Sequence, residues 1–404
     1  MEKMNFKIPG AVKKAMDIMN QNGFECYIVG GSVRDFLMGK KPSDFDITTN
    51  ATPEETKKCF SDFRVIETGI EHGTVTVLIH DEPIEITTYR IDGKYVDNRH
   101  PESVSFTVNL AEDLSRRDFT VNALAYDGGE NIVDLFSGKE DLKNKIIRCV
   151  GEPDRRFSED GLRILRALRF SSVLDFEIDA DTEKSIRKNK ELLRNISTER
   201  ILVELTKLLC GVRAKEILME YREVFEVVIP EISGYLKYDE NIFALEKLAP
   251  EKELRFAAFF AESENPKKTL KALKFDNKSK ELISGLVTDL KKEMMAERIF
   301  LKKMLISRDF SYMEKLIALK KAFGDDSLKY DHMKNLLDDI KKNAECVRIS
   351  QLEIDGNLVK SIDGVSGKEI GILLNKALDM VIEGKIPNDK DKLMDYLKNF
   401  TKNH

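Results

Sequence analysis

Residues 30–47 read GGSVRDFLMGKKPSDFDI. They follow Cys26-Tyr27-Ile28-Val29, a short apolar run that predicts a buried strand, and the Gly30-Gly31 pair ends that strand in a turn. SVRDFLMG then predicts a helix with Ser32 as its cap. A helix opening from a glycine turn presents free N–H groups and the positive end of its dipole, an arrangement suited to phosphate. Gly31 and Arg34 are therefore candidate nucleotide-binding residues. Lys41-Pro42-Ser43 marks a second turn, after which Asp44-Phe45-Asp46-Ile47 alternates polar with apolar. In a strand, residues i and i+2 share a face, so Asp44 and Asp46 project together while Phe45 and Ile47 enter the core. Two neighbouring carboxylates repel one another unless a cation lies between them. Mg²⁺, which takes one or two carboxylates plus substrate phosphates, suits the pair, making Asp44 and Asp46 candidate metal ligands and catalytic residues. A lone DxD is more often a solvated strand edge; the glycine turn and arginine upstream make this one more specific.

Outward from this stretch, residues 1–150 read as mixed α/β. Ala11, Ala15, Ile18 and Met19 recur at helical spacing before a stop at Asn22-Gly23. GTVTVLIH, with Val75, Val77 and Ile79 alternating, predicts a strand, as do IEITTY and SVSFTV. After Gly151-Glu152-Pro153 the alternation gives way to three- and four-residue spacing, in GLRILRALRF, ERILVELTKLLC and AKEILMEYREV. The expected fold class is α+β: a small sheet with helices over 1–150, then all-α segments over 151–212, 213–345 and 346–404. Helix breaks are expected near Pro230, Pro250 and Asp325.

The composition narrows the function classes. Of 404 residues, 34% are charged and 42% hydrophobic, enough for several cores beneath a heavily solvated surface. No apolar run approaches a membrane span, and MEKMNFKIPG lacks the apolar core of a signal peptide, so a cytoplasmic protein is expected. The five cysteines form no CxxC pair and the five histidines no HExxH, which argues against zinc and a disulfide framework. The net charge of −5 argues at first against a nucleic-acid partner. That charge is unevenly spread: residues 1–150 carry 19 Lys+Arg against 25 Asp+Glu, and the remainder 47 against 46. RNA contact is thereby confined to particular faces rather than excluded, and is expected to be salt-sensitive.

Two further stretches carry chemistry. In RRDFTVNALAYD, residues 116–127, Arg116 and Arg117 precede apolar anchors Phe119 and Val121; arginines at a solvated helix start are the competing reading. In EDGLRILRALRF, residues 159–170, Asp160, Arg163, Arg166 and Arg169 fall three apart on an expected helix, with Leu162, Leu165 and Leu168 packing elsewhere. An ordinary Glu159–Arg163 surface pair is the bland reading. The sharper one is base chemistry. Cytosine and adenine each present an amino donor beside a ring-nitrogen acceptor, whereas guanine and uracil present the reverse. A carboxylate at Asp160 and a guanidinium at Arg163 would accept the first pair and leave buried groups unpaired with the second. Glu85, between Ile84 and Ile86, is a candidate third catalytic carboxylate, or else an outward residue of an alternating strand.

Taken in order, residues 30–47, 116–127, the turn around Asp134 in VDLFSGKEDL, 159–170 and ERILVEL at 199–205 resemble five signatures of the DNA polymerase β-type nucleotidyltransferase superfamily. The subgroup resembled contains class II tRNA nucleotidyltransferases (CCA-adding enzymes) and bacterial poly(A) polymerases. The resemblance implies a polymerase β-like catalytic head over 1–150, a base-recognising neck over 151–212, a helical body over 213–345 and a tRNA-binding tail over 346–404. It implies tRNA as partner, CTP and ATP as substrates and two-metal nucleotidyl transfer with Mg²⁺, with neither membrane nor partner protein. It places Arg117 at the nucleotide, Asp118 and Asn122 at the sugar or shaping the loop, Asp160 and Arg163 as a protein template, and Arg166 and Arg169 towards the nucleotide and its phosphates. TGIEHGTVTV at 68–77 is similar to CCA-adding enzymes and stands where poly(A) polymerases carry a basic signature. DGKYVDNRHPESVSF at 92–106 resembles the loop that enzymes adding only CC lack, with His100 replacing the usual second arginine. The expectation is CCA addition. The alternatives are a poly(A) polymerase, a CC- or A-adding enzyme, or a non-catalytic RNA-binding relative. Without paired His-Asp motifs after residue 210, no histidine/aspartate phosphohydrolase domain is expected.

Overall fold

The computed structural model describes residues 6–42, 44–93, 104–129, 131–324 and 326–402. The chain forms two compact units, Met1–Gly234 and Tyr235–His404. The boundaries expected at 150 and 212 fall inside the first and that at 345 inside the second.

The first unit opens with α1 (Gly10–Gln21), which buries Ala11, Val12, Ala15, Met16 and Met19 and stops at Asn22, before Gly23 at φ 84°. Then come β1 (Cys26–Val29), α2 (Gly31–Leu37), β2 (Asp46–Thr49), α3 (Pro53–Cys59), β3 (Arg64–Ile66), β4 (Thr74–Ile79) and β5 (Glu82–Thr88). A short hairpin of β6 (Arg90–Asp92) and β7 (Val104–Phe106) precedes α4 (Leu110–Ser115), β8 (Leu124–Tyr126), β9 (Ile132–Asp134), α5 (Gly138–Asn144) and β10 (Ile146–Ile147). Seven strands pair in the order β3-β4-β5-β2-β1-β8-β9, and only the β2–β5 pair among them is parallel. Strict alternation puts Val75, Val77 and Ile79 of β4 on the buried side, where they join Ile28, Ile47, Ile84 and Ile86 beneath α1 and α3. The other face holds a smaller cluster of Val29, Leu114 and Ala125. Because successive strand residues alternate, burying Ile47 in the large core turns Asp46 onto this second face.

The helical part of this unit is α6 (Pro153–Glu159), α7 (Leu162–Leu174), α8 (Ala180–Asn189), α9 (Thr198–Leu209), α10 (Ala214–Glu220) and α11 (Arg222–Val228). The expectation of an all-α segment is corrected at one point: β11 (Glu177–Ile178) pairs parallel with β10 and stitches the segment after 150 to the one before it. The α7 helix packs along α9, with Leu165 and Leu168 fully buried.

The second unit is helical among its described residues: α12 (Tyr238–Glu246), α13 (Lys252–Phe259), α14 (Pro266–Ala272), α15 (Asn277–Leu290), α16 (Arg298–Leu305), α17 (Phe310–Phe323), α18 (Ser327–Lys342), α19 (Gly356–Lys360), α20 (Lys368–Ile382) and α21 (Lys390–Lys402). Helix breaks fall where prolines 230 and 250 predict them and between α17 and α18; Asp325 itself lies outside the described residues. Asp289, buried near the end of α15, is satisfied by the Tyr312 hydroxyl at 2.5 Å, Lys292 at 2.7 Å and Arg308 at 3.0 Å. Residues of α19, α20 and α21 share a core of their own around Leu373, Ala377, Leu378 and Leu393. Among the described residues no helix is long and apolar enough to cross a membrane.

Candidate active site

Asp46 is the first residue of β2, so Asp44 lies just ahead of the strand rather than within it, as the alternation alone suggested. Phe45 still packs against the core and Ile47 is 1% exposed, so the expected inward residues are in place. Asp46 sits opposite Val29 on β1 and opposite Glu85 on β5. Strands lie about 4.8 Å apart, so the Asp46 and Glu85 carboxylates are neighbours on one sheet face. A cavity of about 640 Å³ is lined by Lys41, Asp44, Phe45, Asp46, Pro83 and Glu85 among others. Lost hydration raises the Asp46 pKa and Asp44 adds to the rise, while Arg117 opposes it. The carboxylates thus meet a local deficit of positive charge, which a divalent cation would remove. Among the described residues no three such side chains converge into a closed metal cage. The donor set fits a hard cation that takes one or two carboxylates and completes its shell from substrate oxygens.

Val29 leads directly into the glycine turn. Gly30 has φ 76° and ψ −134°, a conformation essentially reserved for glycine, and it occupies the N-cap of α2. Ser32 is therefore not the cap; its hydroxyl donates back to the Val29 carbonyl at 3.1 Å. A Cβ on Gly30 would stand 3.2 Å from Nη1 of Arg117, so the bare turn and the guanidinium are pressed together. Gly31 begins α2, and Arg34 one turn on lies within 3.5 Å of where its Cβ would be. Arg34 is held by Asp35 at 2.7 and 2.9 Å and donates to Asn122 at 2.7 Å.

Arg116 and Arg117 follow the end of α4 instead of opening a helix. Behind them, the fully buried Asp113 accepts from Arg116 at 2.7 and 3.0 Å and from Arg117 at 3.4 Å. Burial lowers the Arg117 pKa and Asp113 pulls against that shift. The buried Nε of Arg117 has no hydrogen-bond partner among the described residues. A guanidinium braced at Nη2 by Asp113, with Nη1 against the bare Gly30 turn, is disposed to receive an anion.

The third group gathers around α7, but not as one helical stripe. Asp160 falls in the break between α6 and α7 with φ −142°, outside the helix that carries the three arginines. The break lets Gly161 pass close to Leu192, whose Cβ and carbonyl oxygen are both 3.1 Å from a would-be Gly161 Cβ. Arg163 pairs with Glu159 at 2.7 Å, as the bland reading had it, and donates to the Arg116 carbonyl at 2.9 Å. Arg166 forks onto Asp118 at 2.5 and 2.8 Å, and Arg169 reaches Glu204 at 2.8 Å. Asp118, 9% exposed, is held far below the ordinary carboxylate range because Arg166 and Asn122 outweigh its burial. It also accepts from Asn122, which accepts from Arg34, so a single polar chain runs from the glycine turn to α7.

Asp113 escaped sequence reasoning, while Asp134, Arg200 and Glu204 lay in stretches singled out by resemblance with no part given to Arg200 or Glu204. Asp134 accepts from the Gly138 and Lys139 N–H groups at 2.8 and 3.0 Å, capping α5. Arg200 and Glu204 stand four apart in ERILVEL, a helical spacing that marks them as one face. Residues 94–103 of the expected loop at 92–106, including His100, lie outside the described residues.

Three family models match along the chain: the poly A polymerase head domain at 26–148, the RNA and SrmB-binding site of polymerase A at 175–236, and tRNA nucleotidyltransferase domain 2 at 251–397. The CCA-adding enzyme of Ligilactobacillus salivarius is 38% identical over 412 residues, covering 97% of each chain. That of Enterococcus faecalis is 51% identical over 208 residues, 51% of each. The crystal structure of the Bacillus stearothermophilus CCA-adding enzyme in complex with CTP superposes with a TM-score of 0.80 at 28% identity, covering 98% of this chain and 99% of that one. A tRNA nucleotidyltransferase complexed with a primer tRNA and an incoming ATP analogue gives 0.62 at 27% identity, covering 82% and 99%. With relatives this similar along nearly its whole length, the chain belongs to the CCA-adding family of tRNA nucleotidyltransferases.

Proposed function

We propose that this enzyme adds C, C and A to the 3′ end of tRNA from CTP and ATP, without a nucleic-acid template and with release of pyrophosphate. The observation that carries the reading is the register that sets Asp46 beside Glu85 and level with the end of β1, where the Gly30 turn meets Arg117. Asp44 and Asp46 would hold Mg²⁺, with Glu85 as the third carboxylate. A divalent cation held there would supply acidity to the attacking 3′-hydroxyl and charge neutralisation to the departing pyrophosphate. Arg117, backed by Asp113, stabilises the phosphates, and Gly31 and Arg34 line the approach at the start of α2. Asp160 and Arg163 read the base by accepting from its amino group and donating to its ring nitrogen, which admits C and A. Arg163, Arg166 and Arg169 are each held by an internal carboxylate, Glu159, Asp118 and Glu204, which fixes where their guanidinium groups stand.

The test is a tRNA ending at its discriminator base, given each labelled nucleotide singly and together. Growth by three residues followed by arrest is expected. Long A tails on unrelated RNA would sink the reading in favour of a poly(A) polymerase, and arrest after two would make it a CC-adding enzyme. Asp44→Ala is expected to abolish turnover while tRNA binding survives; equal loss of both would make that carboxylate structural.

A further inference from the structure

The α9 helix aims two charges at the polar side of α7 from one face. Glu204 answers Arg169 and Arg166, at 2.8 and 3.6 Å. Arg200, one turn earlier, grips Asp160 in a two-pronged ion pair, Nη2 to Oδ2 at 2.7 Å and Nη1 to Oδ1 at 3.3 Å. Asp160 sits in the α6–α7 break, so no helical backbone dictates where its carboxylate points. Its one local tether is the Leu162 N–H, which donates to Oδ1 at 3.1 Å. A carboxylate has about four lone-pair sites. Oδ1 spends two, on Arg200 and Leu162, and Oδ2 spends one on Arg200, which leaves a single acceptor site on Oδ2. The side chain is 18% exposed, so that remaining site is reachable.

We propose that Arg200 is the positioning residue for nucleotide selection: by gripping both oxygens of Asp160 it leaves one acceptor in one place for the amino group of cytosine or adenine. The proposal rests on Asp160 reading the base. A fixed acceptor rejects guanine and uracil, which present a carbonyl oxygen there and would set two acceptors face to face. Once the fork is removed, the carboxylate turns about its Cα–Cβ and Cβ–Cγ bonds, its other lone pairs open, and the wrong bases no longer meet a unique mismatch. A planar guanidinium is required for this, since a lysine ammonium makes a point contact and leaves the second oxygen ungoverned.

The experiment measures kcat/KM for CTP, ATP, UTP and GTP on tRNA acceptors with Mg²⁺ present, for the wild type, Arg200→Ala, Arg200→Lys and Asp160→Asn. Misplacing a reading group by about 1 Å costs about 10²-fold. Arg200→Ala is expected to lose about that much with CTP and ATP and clearly less with UTP and GTP, compressing selection by tenfold or more by the same reasoning. Arg200→Lys is expected to fall between Ala and wild type, and it carries the test should the alanine variant fail to fold. A uniform loss across all four nucleotides, or unchanged selection, would mean that Arg200 only braces α9 and would overturn the proposal. The Asp160→Asn arm separates the two layers. If it keeps full selection, base reading by Asp160 falls and this inference with it; if it loses selection while the Arg200 variants keep theirs, only the inference falls.

Discussion

Asp118 shows how a single buried charge ties the site together. Its carboxylate takes the Arg166 fork, the Asn122 amide and the Phe119 N–H. Asp118→Asn leaves Arg166 without its nearest counter-charge, and removing one partner of a buried pair costs about 3 kcal/mol. The folded-state pKa of Asp118 is depressed, so its stabilisation is full above the ordinary carboxylate value and is lost as pH falls through the folded one. Urea unfolding of wild type and variant is therefore expected to differ most at pH 7, with the gap narrowing from about pH 4 downward. Gly30→Ala, which forces a side chain into φ 76° and against Arg117, is expected to cost about 1–3 kcal/mol and to impair turnover, read by thermal melting and nucleotide addition. Local spacing made Gly31, Arg34, Asp44 and Asp46 legible, because each signal is complete within a few residues. The burial of Asp113 against Thr48 of β2, 65 positions away, and the pairing of Arg200 with Asp160, 40 positions apart, depend on tertiary packing that no window of sequence contains.

Elements were read well where burial on one side enforces a period and poorly where a break or cap serves distant packing. β4 alternates without a fault, so its strand was plain. The run at 159–170 reads as one helix because its charged residues and leucines keep three-residue spacing, yet the chain breaks at Asp160, where Gly161 passes close to Leu192, and Asp160 falls off the stripe. Likewise serine is the usual cap, but the positive φ that takes the chain from β1 into α2 gives that place to Gly30. At the α5 N-terminus Asp134 caps from four residues upstream, outside the usual cap position. Asp134→Ala is expected to cost about 1–2 kcal/mol in thermal or chemical unfolding, while the order of preference among the four nucleotides stays as in wild type. A changed preference would give Asp134 a direct part in the site.

At the scale of the molecule, the charge division follows the two units. Residues 1–234 hold 34 Lys+Arg against 42 Asp+Glu, whereas 235–404 hold 32 against 29. The acidic unit carries Asp44, Asp46 and Glu85, and the mildly basic one carries the excess of lysine and arginine. Separately expressed residues 1–234 are expected to bind CTP with Mg²⁺ but to show a shallower dependence of tRNA affinity on salt than the full chain, because fewer phosphates are neutralised. Filter binding across a salt series measures both slopes; equal slopes would place the RNA contacts in the first unit. The parallel β2–β5 pairing has a consequence for how the enzyme comes into being. Its members, Asp46 and Glu85, are 39 positions apart, and β3 and β4 must be passed before they meet. Closing so long a stretch costs chain entropy and belongs to the slower class of folding contacts. The pairing that sets Asp46 beside Glu85 is therefore expected to form late, only when the centre of the sheet has closed.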